Sequence, residues 1–337
     1  MQWTARAPGK LFLLGEYAVL DGGPAVLAAV NRRVEVSLHQ EPGAQVRISA
    51  AGYGVAEFRA GEPPEISGPL RYAYAAYRSA LRAQPLLAEM SLDVAITAHL
   101  DPPTGGKLGL GGSAAVTVAV TAALLAAATP RERTSDRATL FAAALDAHRH
   151  AQGGLGSGAD VAASLYGGVL LFEPRAGALP RVTPLPVPAA THLLAASSGT
   201  PAVTTDLVRR YRAACNGKGA ARAAFVAASH GCVRQFVDTL QHGSLDLAAV
   251  RRNGDLLDRM AADLDLIVYT PRLRQLVTLA HAHGAAAKSS GAGGGDCGIA
   301  LTDDTDVAAR VRAAWRAAGM TALDAQVDYE GVTVARC

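Results

Sequence analysis

"GGKLGLGGSAAVTVAV", Gly105–Val120, sets the terms on which this chain is read. Glycines 109, 111 and 112 precede Ser113 and an apolar run, Ala114–Ala128, that has the length of a buried helix. A glycine loop opening onto a helix turns bare N–H groups and the positive end of the helix dipole towards one point, which suits phosphate. The spacing is neither the GxxxxGK[ST] of a P-loop nor the GxGxxG of a dinucleotide fold, because "GLGGSA" ends in Ala114 and a long apolar helix follows. Ser113 has two readings, a cap on that helix or a hydroxyl on a nucleotide-bound metal.

Three other stretches bear on that point. "APGKLFLLGEYAVLDGG", Ala7–Gly23, carries Lys10 into an apolar strand and sets Glu16 close behind it. A charge buried without a partner is costly, so Lys10 calls for an anion. "GLGSGADVAAS", Gly154–Ser164, places Asp160 in a glycine-rich turn before a helix, where it is either a capping residue or a catalytic carboxylate. "KSSGAGGGDCGIAL", Lys288–Leu301, has five glycines within eight positions. It reads as a hairpin turn, or as a backbone that closes on an anion. Together these stretches supply a phosphate cradle, a lysine, a carboxylate and a second glycine loop. Phosphoryl transfer relies on positioning and charge stabilisation, so it needs little else.

The bulk numbers agree. A chain of 337 residues, 50% hydrophobic and 18% charged, can build two lobes with a sizeable core. Its net charge of +3 is scattered, which gives nucleic-acid binding little support. The four cysteines show no CxxC or paired zinc spacing and fit a reducing cytoplasm, with Cys297 read as core packing rather than a nucleophile. No apolar leader is visible at the amino end. The longest apolar run falls short of the roughly 20 residues that span a bilayer. The expectation is a soluble, cytoplasmic protein without membrane or nucleic-acid partners.

Strand and helix signals mix along the whole length. Strands are expected at Lys10–Leu14, Val34–Leu38, a hairpin around Gly52–Gly54, "SLDVAITAHL", "GGVLLFEP", "HLLAASSGT", "GIALT" and "VTVAR". Helices are expected at Leu70–Arg82, Ala114–Ala128, Arg137–Ala151 and through most of the chain between residues 200 and 284. "RAGALPRVTPLPVPAAT" carries four prolines and marks an edge or a boundary. The fold class is therefore α+β with two lobes, residues 1–180 and 181–337.

Read together, "APGKLFLLGEYAVL", "GLGGSAA" and "SGAGGGDC" resemble, in order and spacing, the signature motifs of the GHMP kinase family. That resemblance implies a ribosomal-protein-like amino-terminal lobe that binds ATP, a ferredoxin-like carboxy-terminal lobe, and a site in the cleft between them. "YTPRLRQL" followed by "AKSSGAGGGDCGIAL" is most similar to the bacterial branch that phosphorylates a phosphate. For that branch the donor is ATP and the acceptor (R)-5-phosphomevalonate, giving 5-diphosphomevalonate and ADP in the mevalonate route to isoprenoids. Mevalonate or another small alcohol is the alternative acceptor, and a kinase-like sensor that binds without turnover is a more distant reading.

The resemblance also implies roles for residues. Lys10 and Asp160 form the catalytic pair. Gly109, Leu110, Gly111, Gly112, Ser113 and Ala114 cradle the ATP phosphates, with Lys107 reaching them from the side. Tyr17, Ser157, Ser290, Gly291 and Ala292 line the acceptor site, and Lys288 touches the acceptor phosphate. Mg2+ accompanies ATP, with Ser113 as its ligand, and a homodimer is left open. Two departures stand out. Gly112 replaces the first serine of the usual "GLGSSA". The helix before Asp160 reads "LDAHRHAQ", with Asp146 and His148 where mevalonate kinases place a metal-binding glutamate.

The acceptor decides how the pair works. A phosphate monoester has its second pKa at about 6 and is mostly dianionic at neutral pH. It needs little help losing a proton and much help approaching another polyanion. Lys10 is therefore expected to matter more, with Asp160 holding Lys10 and orienting the acceptor. An alcohol acceptor would make Asp160 a general base.

Overall fold

The computed structural model describes residues 1–63, 65, 68, 70–100, 108–129 and 136–337, so Lys107 lies outside the described residues. Two sheets organise the chain. The larger has eight strands: β1 Gln2–Leu14, β2 Ala25–Pro42, β3 Gln45–Ala50, β4 Gly54–Arg59, β5 Met90–Ala98, β6 Val169–Glu173, β7 Arg181–Leu185 and β12 Thr333–Arg336. Their order is β12-β1-β2-β5-β3-β4, with β6 on the first part of β2 and β7 beyond β6. The β3–β5 pair is parallel and the other pairs are antiparallel. The alternation at Val34, Val36 and Leu38 does what it promises, with all three buried against the core and their neighbours turned outward.

Helices α1 Arg71–Ala83, α2 Gly112–Ala128, α3 Arg137–Ala151 and α4 Ala159–Tyr166 complete this lobe. The axis of the lobe is α2, which packs on β1 and β2 from one side and on α1, α3 and α4 from the others. A helix that is apolar all round must be buried all round, and its alanines let the neighbours come close. Thr117 and Thr121 hold their hydroxyls on the carbonyls of Ser113 and Thr117, at 2.8 and 2.7 Å, so no polar group is stranded there.

The smaller sheet runs β11-β8-β10-β9, all antiparallel, from β8 His192–Ser197, β9 Ala286–Ser289, β10 Cys297–Thr302 and β11 Thr321–Leu323. Around it lie α5 Thr204–Ala214, α6 Gly219–Gln241, α7 Leu247–Asp263, α8 Pro271–Ala282 and α9 Thr305–Ala317. Thr270 caps α8 and Asp304 caps α9, each accepting from first-turn N–H groups. Trp315, fully buried, donates its indole N–H to the Leu276 carbonyl at 2.9 Å and locks α9 to α8.

The α+β architecture matches the expectation, and the helix at Arg137–Ala151 falls where the sequence puts it. Of the edge and boundary readings of the proline-rich tract, the edge is the one the sheet takes. The proline-rich tract contributes β7, whose only strand partner among the described residues is β6, so Pro184 costs the sheet little. The larger sheet thus runs past residue 180 to Leu185, and it takes back the far end of the chain through β12. Arg33 on β2 fixes that return by a bidentate pair with Asp328, at 2.7 Å to each oxygen.

Candidate active site

A cavity of about 550 Å³ opens between the lobes. It is lined by Lys10, Phe12, Glu16 and Tyr17 from β1 and the turn after it, by Gly109–Ser113, and by Ser157 and Asp160 at the start of α4. The smaller lobe contributes residues 201–205, Val208, residues 290–292 and Asp296. The lining also includes Ala50, Tyr53, Leu70, Tyr72, Ile96 and Leu100, which are mostly apolar.

The glycine loop is moulded on Lys10. The Lys10 N–H donates to the Leu110 carbonyl at 2.7 Å, and its Nζ donates to the Gly109 carbonyl at 3.2 Å. Gly111, at φ 81°, is the N-cap of α2, and a Cβ there would come within 2.9 Å of the Lys10 side chain. Gly109, at φ 73°, would place one 2.3 Å from the Asp296 Cβ. Only glycine meets both demands. Lys10 is 8% exposed. Because its ammonium meets a neutral carbonyl, its charge remains available to an anion in the cavity.

Ser113, in the first turn of α2, turns its hydroxyl to His148 Nε2 at 3.2 Å. His148 is fully buried on α3, stacked on Tyr72 at 5.4 Å between ring centres, and its Nε2 also lies 3.7 Å from Asp160 Oδ2. Burial, helped by the Lys10 charge, pushes the imidazole pKa down against the opposing pull of Asp160, which favours the neutral ring. Asp160 lies in the first turn of α4 behind the N-cap Gly158, where its Oδ1 accepts the Val161 N–H at 3.0 Å. The cap itself is Gly158, so Asp160 supports the helix end from within the first turn rather than capping it. One oxygen serves the helix end and the other faces the site.

Three expectations need correction. Asp160 does not hold Lys10, because its partner is His148 while Lys10 rests on Gly109. Ala114 does not face the cavity. It is fully buried in the core, and its N–H donates to the Gly111 carbonyl at 3.0 Å. Lys288 does not reach an acceptor. Its ammonium is fully buried on β9, pairs with Glu16 and donates to the Ser289 carbonyl at 2.8 Å. Desolvation pulls its pKa down while Glu16 opposes the shift.

Tyr17, Ser157, Ser290, Gly291 and Ala292 border the cavity. Tyr17, at φ 60°, donates its hydroxyl to the Ala292 carbonyl at 2.6 Å and packs on Tyr211. Ser290 commits its hydroxyl to the Phe12 backbone, accepting at 2.9 Å and donating at 3.1 Å, so it ties the second glycine loop to β1. Ser157 accepts the Ala159 N–H at 3.2 Å. Sequence reasoning missed His148, Glu16, Tyr72 and Asp296 as site residues. A signal for His148 existed, since Phe141, Ala144, Leu145 and His148 fall on one buried helical face.

Among the described residues no group of three His, Cys, Asp or Glu could cage a metal. The Ser113 hydroxyl and the Asp160 carboxylate do offer hard oxygen donors on one side of the cavity. That set fits Mg2+, which typically takes one or two protein ligands and completes its shell with phosphate and water.

Family models described as GHMP kinases N terminal domain and GHMP kinases C terminal match residues 71–168 and 245–320. A phosphomevalonate kinase from Streptomyces sp. (strain CL190) is 35% identical, over 97% of each chain. A mevalonate kinase from Aeropyrum pernix is 28% identical over 90% of this chain and 89% of its own. The structure of Streptococcus pneumoniae phosphomevalonate kinase in complex with phosphomevalonate and AMPPNP superposes with a TM-score of 0.78. It is 23% identical and covers 96% of this chain and 99% of its own.

Proposed function

This chain belongs to the GHMP kinase family, and on that premise we propose that it transfers the γ-phosphoryl group of ATP to (R)-5-phosphomevalonate. The observation that carries the reading is the full-length relationship to a phosphomevalonate kinase, in a chain whose site turns Lys10, which has no carboxylate partner among the described residues, into a cavity of about 550 Å³. The amino-terminal lobe holds the nucleotide. Its base lies against the mostly apolar lining beside Tyr72, and its phosphates lie along Gly109–Ser113 at the amino end of α2. The acceptor lies against Tyr17, Ser157 and Ala292.

An oxygen of the acceptor phosphate attacks the γ-phosphorus as the bond to the β,γ-bridging oxygen breaks, leaving ADP. The acceptor is already ionised, so the barrier is the meeting of two polyanions. Lys10 lowers it by placing a poorly hydrated positive charge where they meet. Asp160, turned towards neutral His148 and Ser113, orients the acceptor side. Mg2+ held by Ser113 and Asp160 would neutralise phosphate charge when bound with ATP.

The test is ADP release with Mg2+ and ATP, comparing phosphomevalonate, mevalonate and no acceptor. Turnover on phosphomevalonate alone is the expected result. Turnover on mevalonate instead would move the acceptor assignment and make Asp160 the base.

A further inference from the structure

Among the described residues, three non-glycine positions have positive φ: Tyr17, Asp265 and Asp296. Asp296 ends the second glycine loop at φ 54°, directly after Gly293, Gly294 and Gly295, which also have positive φ. Its backbone is held on both sides, the N–H donating to Thr200 at 2.7 Å and the carbonyl accepting from Ser198 at 2.8 Å. A glycine at 296 could make both bonds and adopt this φ without steric strain. What an aspartate adds is its side chain, and that side chain touches two walls of the cavity.

One wall is the glycine loop. The Asp296 Cβ lies over Gly109 so closely that no side chain fits there. Gly109 is thereby held between Asp296 on one face and Lys10 Nζ on its carbonyl. The other wall is the segment leading into α5. Asp296 Oδ1 accepts the Ala202 N–H at 3.0 Å, and residues 201–205 border the cavity. The first contact is with the larger lobe and the second with the smaller one. Strain at a non-glycine residue marks a place where function can outweigh local comfort.

We propose that Asp296 is a positioning residue that clamps Gly109 of the phosphate loop to Ala202 of the opposite wall, and so fixes the geometry in which the nucleotide phosphates are held. The inference rests on the reading of Gly109–Ser113 as the nucleotide cradle. Asparagine can replace the aspartate at this φ and offers the same Oδ1 acceptor. Glycine relieves the φ but gives up both contacts.

The experiment is titration of the full-length chain with AMPPNP and Mg2+, without acceptor, for wild type, Asp296→Asn and Asp296→Gly, with thermal unfolding of each. Asp296→Asn is expected to bind within threefold of wild type. Asp296→Gly is expected to bind at least tenfold more weakly while its unfolding midpoint stays within a few degrees. Binding by Asp296→Gly within threefold of wild type would overturn the inference, as would equal weakening in Asp296→Asn. Should Asp296→Gly fail to fold, Asp296→Ala, which keeps the Cβ over Gly109 and loses the Ala202 bond, takes its place, and weakening of less than threefold there would overturn the inference. A wild type that does not bind AMPPNP would instead sink the proposed function.

Discussion

Lys10 and Lys288 are both buried lysines beside the loop of residues 290–296, and they do opposite things. Lys288 is closed off against Glu16, so the two charges cancel inside the fold. Lys10, only slightly more exposed, rests on the carbonyl of Gly109 and keeps its charge for the cavity. On the proposed reading, the partner, not the depth of burial, separates a structural lysine from a catalytic one. An ammonium paired with a carboxylate has little left to offer an anion, whereas one on a neutral carbonyl still needs a counter-charge.

Lys10→Met should show the largest effect. Removing a preorganised donor to developing charge typically costs a hundredfold to a thousandfold, and kcat is expected to fall by about a thousandfold. Thermal unfolding should change little, because Met keeps the stem that packs on Gly111. Steady-state kinetics with a fixed acceptor checks this. A loss below tenfold would erase the contrast between the two lysines.

Lys288→Met tests the other side. It strands the Glu16 carboxylate in the interior, and breaking a buried pair costs about 3–5 kcal/mol of stability. Urea unfolding should show that loss, and adding Glu16→Gln should recover more than half of it. A Lys288→Met protein as stable as wild type, with a raised KM for the acceptor, would return Lys288 to the site and break the comparison.

Asp160→Asn should be milder. The amide oxygen stays on the Val161 N–H, an acceptor already ionised asks for no base, and Mg2+ would keep Ser113 and the ATP phosphates as ligands. A loss in kcat of about tenfold is expected, equivalent to about 1.4 kcal/mol. If Asp160→Asn proves more damaging than Lys10→Met by orders of magnitude, the acceptor loses its proton in the reaction and the roles of the pair reverse.

These contrasts also mark where sequence reading stops. The glycine loop was legible because φ and close approach restrict residue type locally, at Gly109 and Gly111. So was α2, whose apolar residues on every face have only one destination. Lys288 was misread because its neighbours in sequence, two serines and a glycine loop, suggest a phosphate. Its partner Glu16 lies 272 residues away. His148 was passed over for the same reason, since Ser113 and Asp160 reach it from two other helices. β7 was masked by Pro184 and the prolines flanking it, since an edge strand tolerates such a residue and a central strand does not. Local constraints show in composition, but pairing across the fold does not.

The smallest effect expected is at Tyr17, and it bears on how the region of Lys288 serves that of Lys10. Tyr17 follows Glu16 in the turn after β1 and reaches across to the Ala292 carbonyl. With the Glu16–Lys288 pair it forms a second tie between that turn and the second glycine loop. Burial, reinforced by the Glu16 charge, pushes the phenol far above its usual pKa, so it stays a protonated donor throughout the neutral range. Tyr17→Phe removes one hydrogen bond and leaves the ring packed on Tyr211. The expected cost is about 1 kcal/mol of stability with the Ala292 carbonyl left unpaired, and a severalfold rise in KM for the acceptor without a new pH dependence between pH 6 and about pH 8. Urea unfolding and pH-dependent kinetics separate the outcomes. A fall in kcat of more than a hundredfold would mean that the hydroxyl touches the reacting groups, and that the division between a structural and a catalytic side of this loop is drawn in the wrong place.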